Sequence, residues 1–595
     1  MTRAFPLSWG AQLESSGVRF RLWAPAATSV SAVISVEKGQ RVAPLERAGD
    51  GWFECIDSDS DVGTLYAYEI DGRRRVPDPA ARFAPEGPGK PCEVIDPRAF
   101  DWPQLRPPRA LEEIVFYELH VGTFTPDGTY EGAVRHLDHL VDLGITAIEL
   151  MPLAERPGRR NWGYDGVLLY APASVYGRPD DLKRLVVAAH EAGLAVFLDV
   201  VYNHFGPQDN YLSVYAPQFF TEKHHTPWGA AIDYSSAGNE PVRRFAIENA
   251  CYWLYEYGFD GLRLDATQEI YDDRKVHVLG ELAEQARVAA GRRVYLVAEN
   301  DRNDVENLRR GFDALWNDDV HHCLHVALTG ERDGYYQDYV RDPIGLLGRA
   351  LTEGFAFQGE PSPFRDGLRR GGSTNGVPLA AFVNCLQNHD QIGNRAFGER
   401  IGQLAPPRAV RAAIAALLLA PSPPLLFMGE EWAASSPFLY FCDFEPELAR
   451  RVTEGRRGEF ARFAQFSDPK AREHIPDPSS PQAFSRSVLD WSEVPLGAHR
   501  EMLDHYRDLL HVRRREIVKR VSGVSSGQGD FCMRGARGLI ARWRLNDGAR
   551  LTLEANLGPE PESGFASPSS GRVIYATEDF DAGVAPAWSV RWSLE

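Results

Sequence analysis

Cysteine is scarce and scattered in this sequence. It contributes seven of 595 residues; Cys55, Cys251, Cys385 and Cys532, among others, stand singly, and no C-x-x-C pair occurs. An odd number without paired spacing argues against a disulfide framework and a zinc ribbon, leaving reduced, buried thiols as the simpler expectation. Long apolar runs are missing too. No stretch approaches the length of a membrane span, and the opening Met-Thr-Arg-Ala-Phe-Pro-Leu-Ser-Trp-Gly has no signal-peptide core, so a cytoplasmic protein with no membrane partner is expected. Positive charge is short: 65 Lys and Arg against 83 Asp and Glu leave a net charge of −18. That balance works against binding a phosphate backbone, so nucleic acid is not an expected partner and a neutral or cationic ligand is favoured. There is no low-complexity tract and no Asp-rich calcium loop of EF-hand type, and neither a cofactor nor a required metal is expected.

What is present has the composition of a soluble globular protein, 44% apolar and 25% charged. A chain this long exceeds one hydrophobic core. Residues 1–95 show short alternating segments such as Val18–Trp23, Ser31–Val36 and Leu65–Ile70 between Gly, Pro and Asp turns, the pattern of an antiparallel β-sandwich. A Pro-rich linker covers 96–108. Over residues 109–520, eight nearly continuous apolar runs alternate with helical segments: Ile114–Leu119, Ile145–Leu150, Ala195–Val200, Gly261–Asp265, Val294–Glu299, Phe312–Trp316, Phe382–Gln387 and Pro424–Met428. Such runs mark buried parallel strands with crossover helices, and eight units predict a (β/α)8 TIM barrel. Alternating strands return over 521–595, predicting a small C-terminal β domain. The fold class is therefore α/β, a TIM barrel between two β domains. Connections after strands three, six and eight (202–240, 317–381 and 429–497) exceed what a barrel needs and are expected to build a site.

Acidic and imidazole groups recur at the strand C-terminal ends: Asp199 and His204 around strand three, Asp265 at four, Glu299 at five, and Asn388-His389-Asp390 at seven. In a barrel these ends form one mouth. Arg263 and Asp265 share a strand face, which sets a cation beside a carboxylate and keeps it ionised, and Arg263 is also expected among the substrate-binding residues. Asp265 and Glu299 end adjacent strands, where their carboxyls can approach to roughly 5 Å, the spacing of a retaining glycosidase. In that chemistry Asp265 attacks the anomeric carbon, Glu299 donates and later accepts a proton, and Asp390 favours the oxocarbenium-like transition state. His204 and His389 would donate to the same sugar ring, and Tyr164, in Asn161-Trp-Gly-Tyr-Asp165, offers an aromatic platform. Asp199 and Asn203 are read as supports. His321-His322-x-x-His325 has no paired carboxylate at metal-ligand spacing and is not read as a metal site. The run Glu454-Gly-Arg-Arg-Gly-Glu459 is expected to be a solvated helix face.

Asp199-Val-Val-Tyr-Asn-His204, Gly261-Leu-Arg-Leu-Asp265, Glu299 and Asn388-His-Asp390, taken in order, resemble the four sequence regions of the α-amylase superfamily. The sandwich, barrel and C-terminal β domain match its layout. The resemblance implies Asp265 as nucleophile, Glu299 as proton donor and Asp390 as transition-state stabiliser. Asn203–Leu212, Trp316–His322, Leu386–Arg395 and Met428–Trp432 are most similar to the trehalose-releasing branch of that superfamily. That likeness implies cleavage of the α-1,4 bond next to the terminal trehalose of maltooligosyl trehalose, an α-glucan substrate. It also puts Asp318, Asp319, His321, His322, Gln391 and Asn394 along the substrate groove. Where many amylases carry Lys-His after the nucleophile, Gln268 and Glu269 stand here, with Gln268 a polar contact for the leaving sugar. A glycogen branching enzyme with the same triad and a catalytically inactive glycan-binding barrel remain open, as does a homodimer.

Overall fold

Eight short strands pair in parallel and close on themselves: β1 Phe116–Leu119, β2 Ala147–Leu150, β3 Ala195–Val200, β4 Gly261–Leu264, β5 Tyr295–Ala298, β6 Ala314–Asn317, β7 Phe382–Cys385 and β8 Pro424–Phe427. Seven lie within the apolar runs that predicted them, and β6 runs one residue past its own, to Asn317. This computed structural model describes residues 2–105, 107–566 and 571–595. Residues 1, 106 and 567–570, which belong to the expected sandwich, linker and C-terminal β domain, lie outside them.

Alternate barrel residues point inward, where Phe116, Phe197, Tyr295, Trp316, Val383 and Leu425 share one buried cluster. Phe197 stands in register with Gly261. A Cβ at Gly261 would lie 2.2 Å from Phe197 Cε1 and 2.8 Å from the Tyr295 carbonyl oxygen. Only glycine lets that ring fill the barrel at the start of β4. The helix Glu240–Glu256 feeds this strand: Pro241 opens it, and Gly258, at φ +67°, turns the chain back toward β4 in a conformation that favours glycine.

The N-terminal strands are all antiparallel, in the order Gln12–Glu14, Gly17–Trp23, Trp52–Asp57, Gly39–Gly49, Val30–Val36, Leu65–Ile70, Arg74–Val76, with Cys92–Glu93 added beside Leu65–Ile70. Gly39–Gly49 pairs with Val30–Val36 along its first part and with Trp52–Asp57 along its second. The path thus folds over, and Phe20 faces Tyr66 with ring centroids 4.9 Å apart. Trp9 packs edge-on against Phe245 of the helix Glu240–Glu256 at 5.0 Å. Arg82 reaches Glu256 of the same helix at 3.1 Å, with side chains 6% and 1% exposed. Five antiparallel strands form the C-terminal sheet, ordered Gly529–Arg534, Gly538–Arg544, Arg550–Asn556, Ser589–Leu594, Arg572–Ala576. Its Trp592 Nε1 donates to the Ala415 carbonyl at 3.0 Å and its Trp543 Nε1 to that of Leu351 at 3.2 Å, fastening the sheet to two barrel helices. Five of the seven free cysteines are buried; Cys55 and Cys532 are only half-buried, which corrects the expectation for those two. Among the described residues no helix is long and apolar enough to cross a membrane.

Candidate active site

The C-terminal ends of β1, β3, β4 and β5 and the turn after β7 deliver their side chains to one mouth. Arg263, wholly buried, is its hub. Its Nη1 donates to Asp199 Oδ1 and Oδ2 at 3.0 and 2.8 Å and to Asp265 Oδ1 at 2.8 Å. Its Nη2 stands 3.9 Å from Glu299 Oε2, and the Trp316 ring lies 4.1 Å from the guanidinium carbon. Asp265 Oδ2 accepts from Asn203 Nδ2 at 2.9 Å, while Glu299 Oε2 accepts from the Ala266 N–H at 2.7 Å. A second chain of contacts runs across the mouth. Tyr164 OH donates to Asp199 Oδ2 at 2.6 Å and lies 2.7 Å from His389 Nε2. His389 Nδ1 meets Glu118 Oε1 at 2.5 Å, and its backbone N–H donates to Glu118 Oε2 at 2.9 Å. His204 Nδ1 bonds Asn203 Oδ1.

Burial and charge set the protonation of this cluster. Burial pushes Glu299 well above the usual carboxylate range; Arg263 opposes the rise and Asp265 adds to it. Asp199 is pushed up to about 7, again by burial, with Arg263 pulling the other way. Asp318 rises to about 6 through burial and the nearby Asp390. Burial works against a charged His389, yet Asp390 and Glu118 outweigh it and raise the imidazole to about 9. One carboxyl kept protonated beside another that accepts from arginine and asparagine is an acid and nucleophile arrangement.

Two hollows meet at Trp228, Asp265, Asp390 and Asn394. The larger, about 410 Å³, is walled by Trp162, Tyr164, His204, His389, Tyr440 and Arg456. The smaller, about 300 Å³, is walled by Gln268, Glu299, Asp318, His322, Tyr335, Phe364, Arg365, Arg370 and Gln391. A cavity of about 790 Å³ beside Leu111, Arg293, Tyr295 and Phe312 lies at the opposite end of the barrel, away from these groups.

Tyr164, His204, Gln268, Asp318, His322, His389, Gln391 and Asn394 line the groove, whereas Arg263 lies wholly buried behind it with Asp199 and Asn203, which corrects its expected place among the substrate-binding residues. Asp319 and His321 do not reach it, which corrects their expected place. Asp318 and His322 are one turn apart on the helix Asp318–Thr329, and the residues between them face elsewhere. Asp319 accepts from Asn303 Nδ2 and the Ala356 N–H, both at 2.7 Å, and pairs with Arg370 at 3.2 Å. His321 Nδ1 bonds the Leu386 carbonyl at 2.6 Å, and burial lowers the ring to about 3. His325 instead meets Glu331 at 2.8 Å. Among the described residues no group of three His, Cys, Asp or Glu could hold a metal ion.

Sequence reasoning missed several wall residues. Trp228, 52% exposed at the turn between Phe220–Thr226 and Gly229–Ile232, stacks on His204 at 4.6 Å and borders both hollows. Phe364, Arg365 and Arg370 come from the connection after β6, Tyr440 and Arg456 from that after β8. Arg456 corrects the expectation of a solvated run. Glu118 did leave a signal, a lone acid inside an apolar strand.

Residues 94–228 match the α-amylase catalytic domain, 7–97 the carbohydrate-binding module 48 (isoamylase N-terminal domain), and 526–592 a domain of unknown function, DUF3459. A malto-oligosyltrehalose trehalohydrolase of Deinococcus radiodurans is 42% identical over 567 residues, covering 93% of this chain and 91% of the relative. One from Saccharolobus solfataricus is 40% identical, covering 85% of this chain and 87% of its own. The crystal structure of a candidate α-amylase from Salmonella typhimurium superposes with a TM-score of 0.92 at 40% identity, over 99% of this chain and 100% of that one.

Proposed function

The chain belongs to the malto-oligosyltrehalose trehalohydrolase family of α-amylase-type glycosidases, and from this premise we propose that it hydrolyses the α-1,4 bond next to the terminal trehalose of a maltooligosyl trehalose, with retention of configuration. Trehalose and a maltooligosaccharide are the products. Asp265 attacks the anomeric carbon as the bond to the leaving oxygen breaks, and that oxygen takes the proton of Glu299. Glu299 then takes a proton from water, whose oxygen displaces Asp265 and restores both groups. Hydrogen bonds from Arg263 and Asn203 to the two Asp265 oxygens support its aim. Burial that keeps a proton on Glu299 supports its role as acid. Asp390, 3.5 Å from His389 Nε2 and accepting from Asn394 at 3.1 Å, would meet the positive charge growing on the ring.

The observation that carries the reading is that Glu299 lines only the smaller hollow, while Asp265 and Asp390 border both. The sugar that leaves with the acid's proton belongs on the acid's side. Trehalose accordingly occupies the smaller hollow, beside Gln268, Asp318 and Arg365, and the glucan lies in the larger one against Trp162, Tyr164 and Tyr440. Purified protein incubated with maltotriosyl trehalose is expected to release trehalose, and to act more slowly on plain maltooligosaccharides of equal length. Intact maltotriosyl trehalose would overturn the proposal, and new α-1,6 branches without hydrolysis would replace it with glucan transfer.

A further inference from the structure

The helix Pro446–Glu459 has the charge pattern of a surface helix, and two of its arginines behave accordingly. Arg450 pairs with Glu454, both side chains 61% exposed, and Arg451 pairs with Glu447 in the open. Arg456 turns the other way and takes no part in these pairs. Its Nη2 donates to the main-chain carbonyls of Gly393 at 2.6 Å and Arg395 at 2.9 Å. Its guanidinium carbon lies 5.2 Å from the Tyr440 ring centre and 5.4 Å from that of Phe460. A half-buried cation set on carbonyls and rings is more costly to place than one in open water, so its position asks for a use.

One carbonyl ends the turn that carries Asp390 and the other lies two residues past it. His389–Gly393 is a single helical turn. The Asn394 N–H closes it on the Asp390 carbonyl at 3.0 Å, and Asn394 Nδ2 donates to Asp390 Oδ1 at 3.1 Å. Trp162 presses on the same turn, since a Cβ at Gly393 would fall 2.0 Å from its Cζ2. The Asp390 turn is therefore held between Trp162 and Arg456, and both line the larger hollow.

We propose that Arg456 is a positioning residue that ties the placement of the Asp390 carboxylate to the filling of the larger hollow by the glucan chain. Sugar packed against Trp162, Tyr440 and the guanidinium presses the turn into the place where Asp390 faces the reacting ring. The inference rests on the reading of Asp390 as the group that meets charge on that ring.

The test measures kcat and KM for wild type, R456K, R456Q, D390N and the R456Q/D390N double variant on maltooligosyl trehaloses of increasing glucan length, with folding followed by thermal denaturation. Wild-type kcat is expected to rise with glucan length until the hollow is filled. R456Q should lose about a hundredfold in kcat, the cost of a small misplacement of a catalytic group, with KM changed less and the length dependence flattened. R456K, which keeps the charge without the fork, should recover part of the loss. The double variant should be no slower than D390N alone, because residues acting through one another do not add. Wild-type kcat in R456Q overturns the inference, as do losses that multiply in the double variant. If R456Q fails to fold, R456K and its combination with D390N decide the matter in the same way. A wild type inactive on every α-glucan overturns the functional reading and this inference together, whereas an active wild type with an unaffected R456Q overturns this inference alone.

Discussion

His389 holds its proton because Asp390 and Glu118 outweigh the cost of burying the ring. Its folded-state value of about 9 lies above the roughly 6.5 of an unperturbed histidine. A group that binds its proton more tightly when folded stabilises the fold fully below about 6.5, and that contribution is lost as pH rises through about 9. Glu118→Gln removes the nearer carboxylate, 2.5 Å from Nδ1. Opening such a buried pair costs about 3–5 kcal/mol, and the share owed to the histidine proton should vanish at high pH. Urea denaturation at pH 6 and at pH 10 is expected to show a wide gap between wild type and variant that narrows on the alkaline side. A gap of constant width would mean that Glu118 acts through packing alone.

At the scale of elements, the barrel strands bring Asp199, Arg263, Asp265 and Glu299 together because they stand at or near the C-terminal ends of inward-facing rows, and the rows depend on their fit below. Gly261→Ala is expected to lower stability by about 1–3 kcal/mol, since the added carbon meets Phe197 and the Tyr295 carbonyl and neither can move far. Chemical denaturation reads the loss directly; an unchanged midpoint would show that the Phe197 ring gives way freely. The strands were legible in the sequence because buried parallel strands are apolar on both faces, and their terminal acids interrupt that pattern. Asp319 and His321 were misplaced because a matching motif is contiguous in sequence while a helix face is not; helical spacing from Asp318 would have separated them from His322. Trp228, Phe364 and Arg365 were illegible for another reason. They sit in long connections without periodicity, and only the fold brings them to the groove. Arg456 was hidden by company, as neighbouring arginines on the same helix do face water.

Across the whole molecule, the N-terminal sandwich is fastened to the barrel through the helix that leads into β4. Arg82 Nε donates to Glu256 Oε1 and its Nη2 to Oε2, both at 3.1 Å, while Glu256 Oε2 accepts from the Phe5 N–H at 2.9 Å. Arg82→Ala leaves that carboxylate buried without its cation, at a cost of about 3–5 kcal/mol. Calorimetry is expected to show the sandwich of the variant melting in a separate transition at lower temperature than in wild type; a thermogram identical to that of wild type would show that Trp9 and its aromatic neighbours suffice to hold the two together.

The wall of the smaller hollow has an uneven origin. Asp318, His322, Tyr335, Asp338, Phe364, Arg365 and Arg370 all come from the connection between β6 and β7, whereas Asp265 and Glu299 stand at the ends of strands. Under the proposed function, choice of the departing sugar would rest largely on this one connection, with Gln268 and Gln391 outside it, and the cutting on strand ends elsewhere in the chain. On that proposal, exchanging residues 318–381 as a block would redirect the choice of leaving group while Asp265 and Glu299 stay in place, a route to new selectivity open to evolution and to the engineer alike.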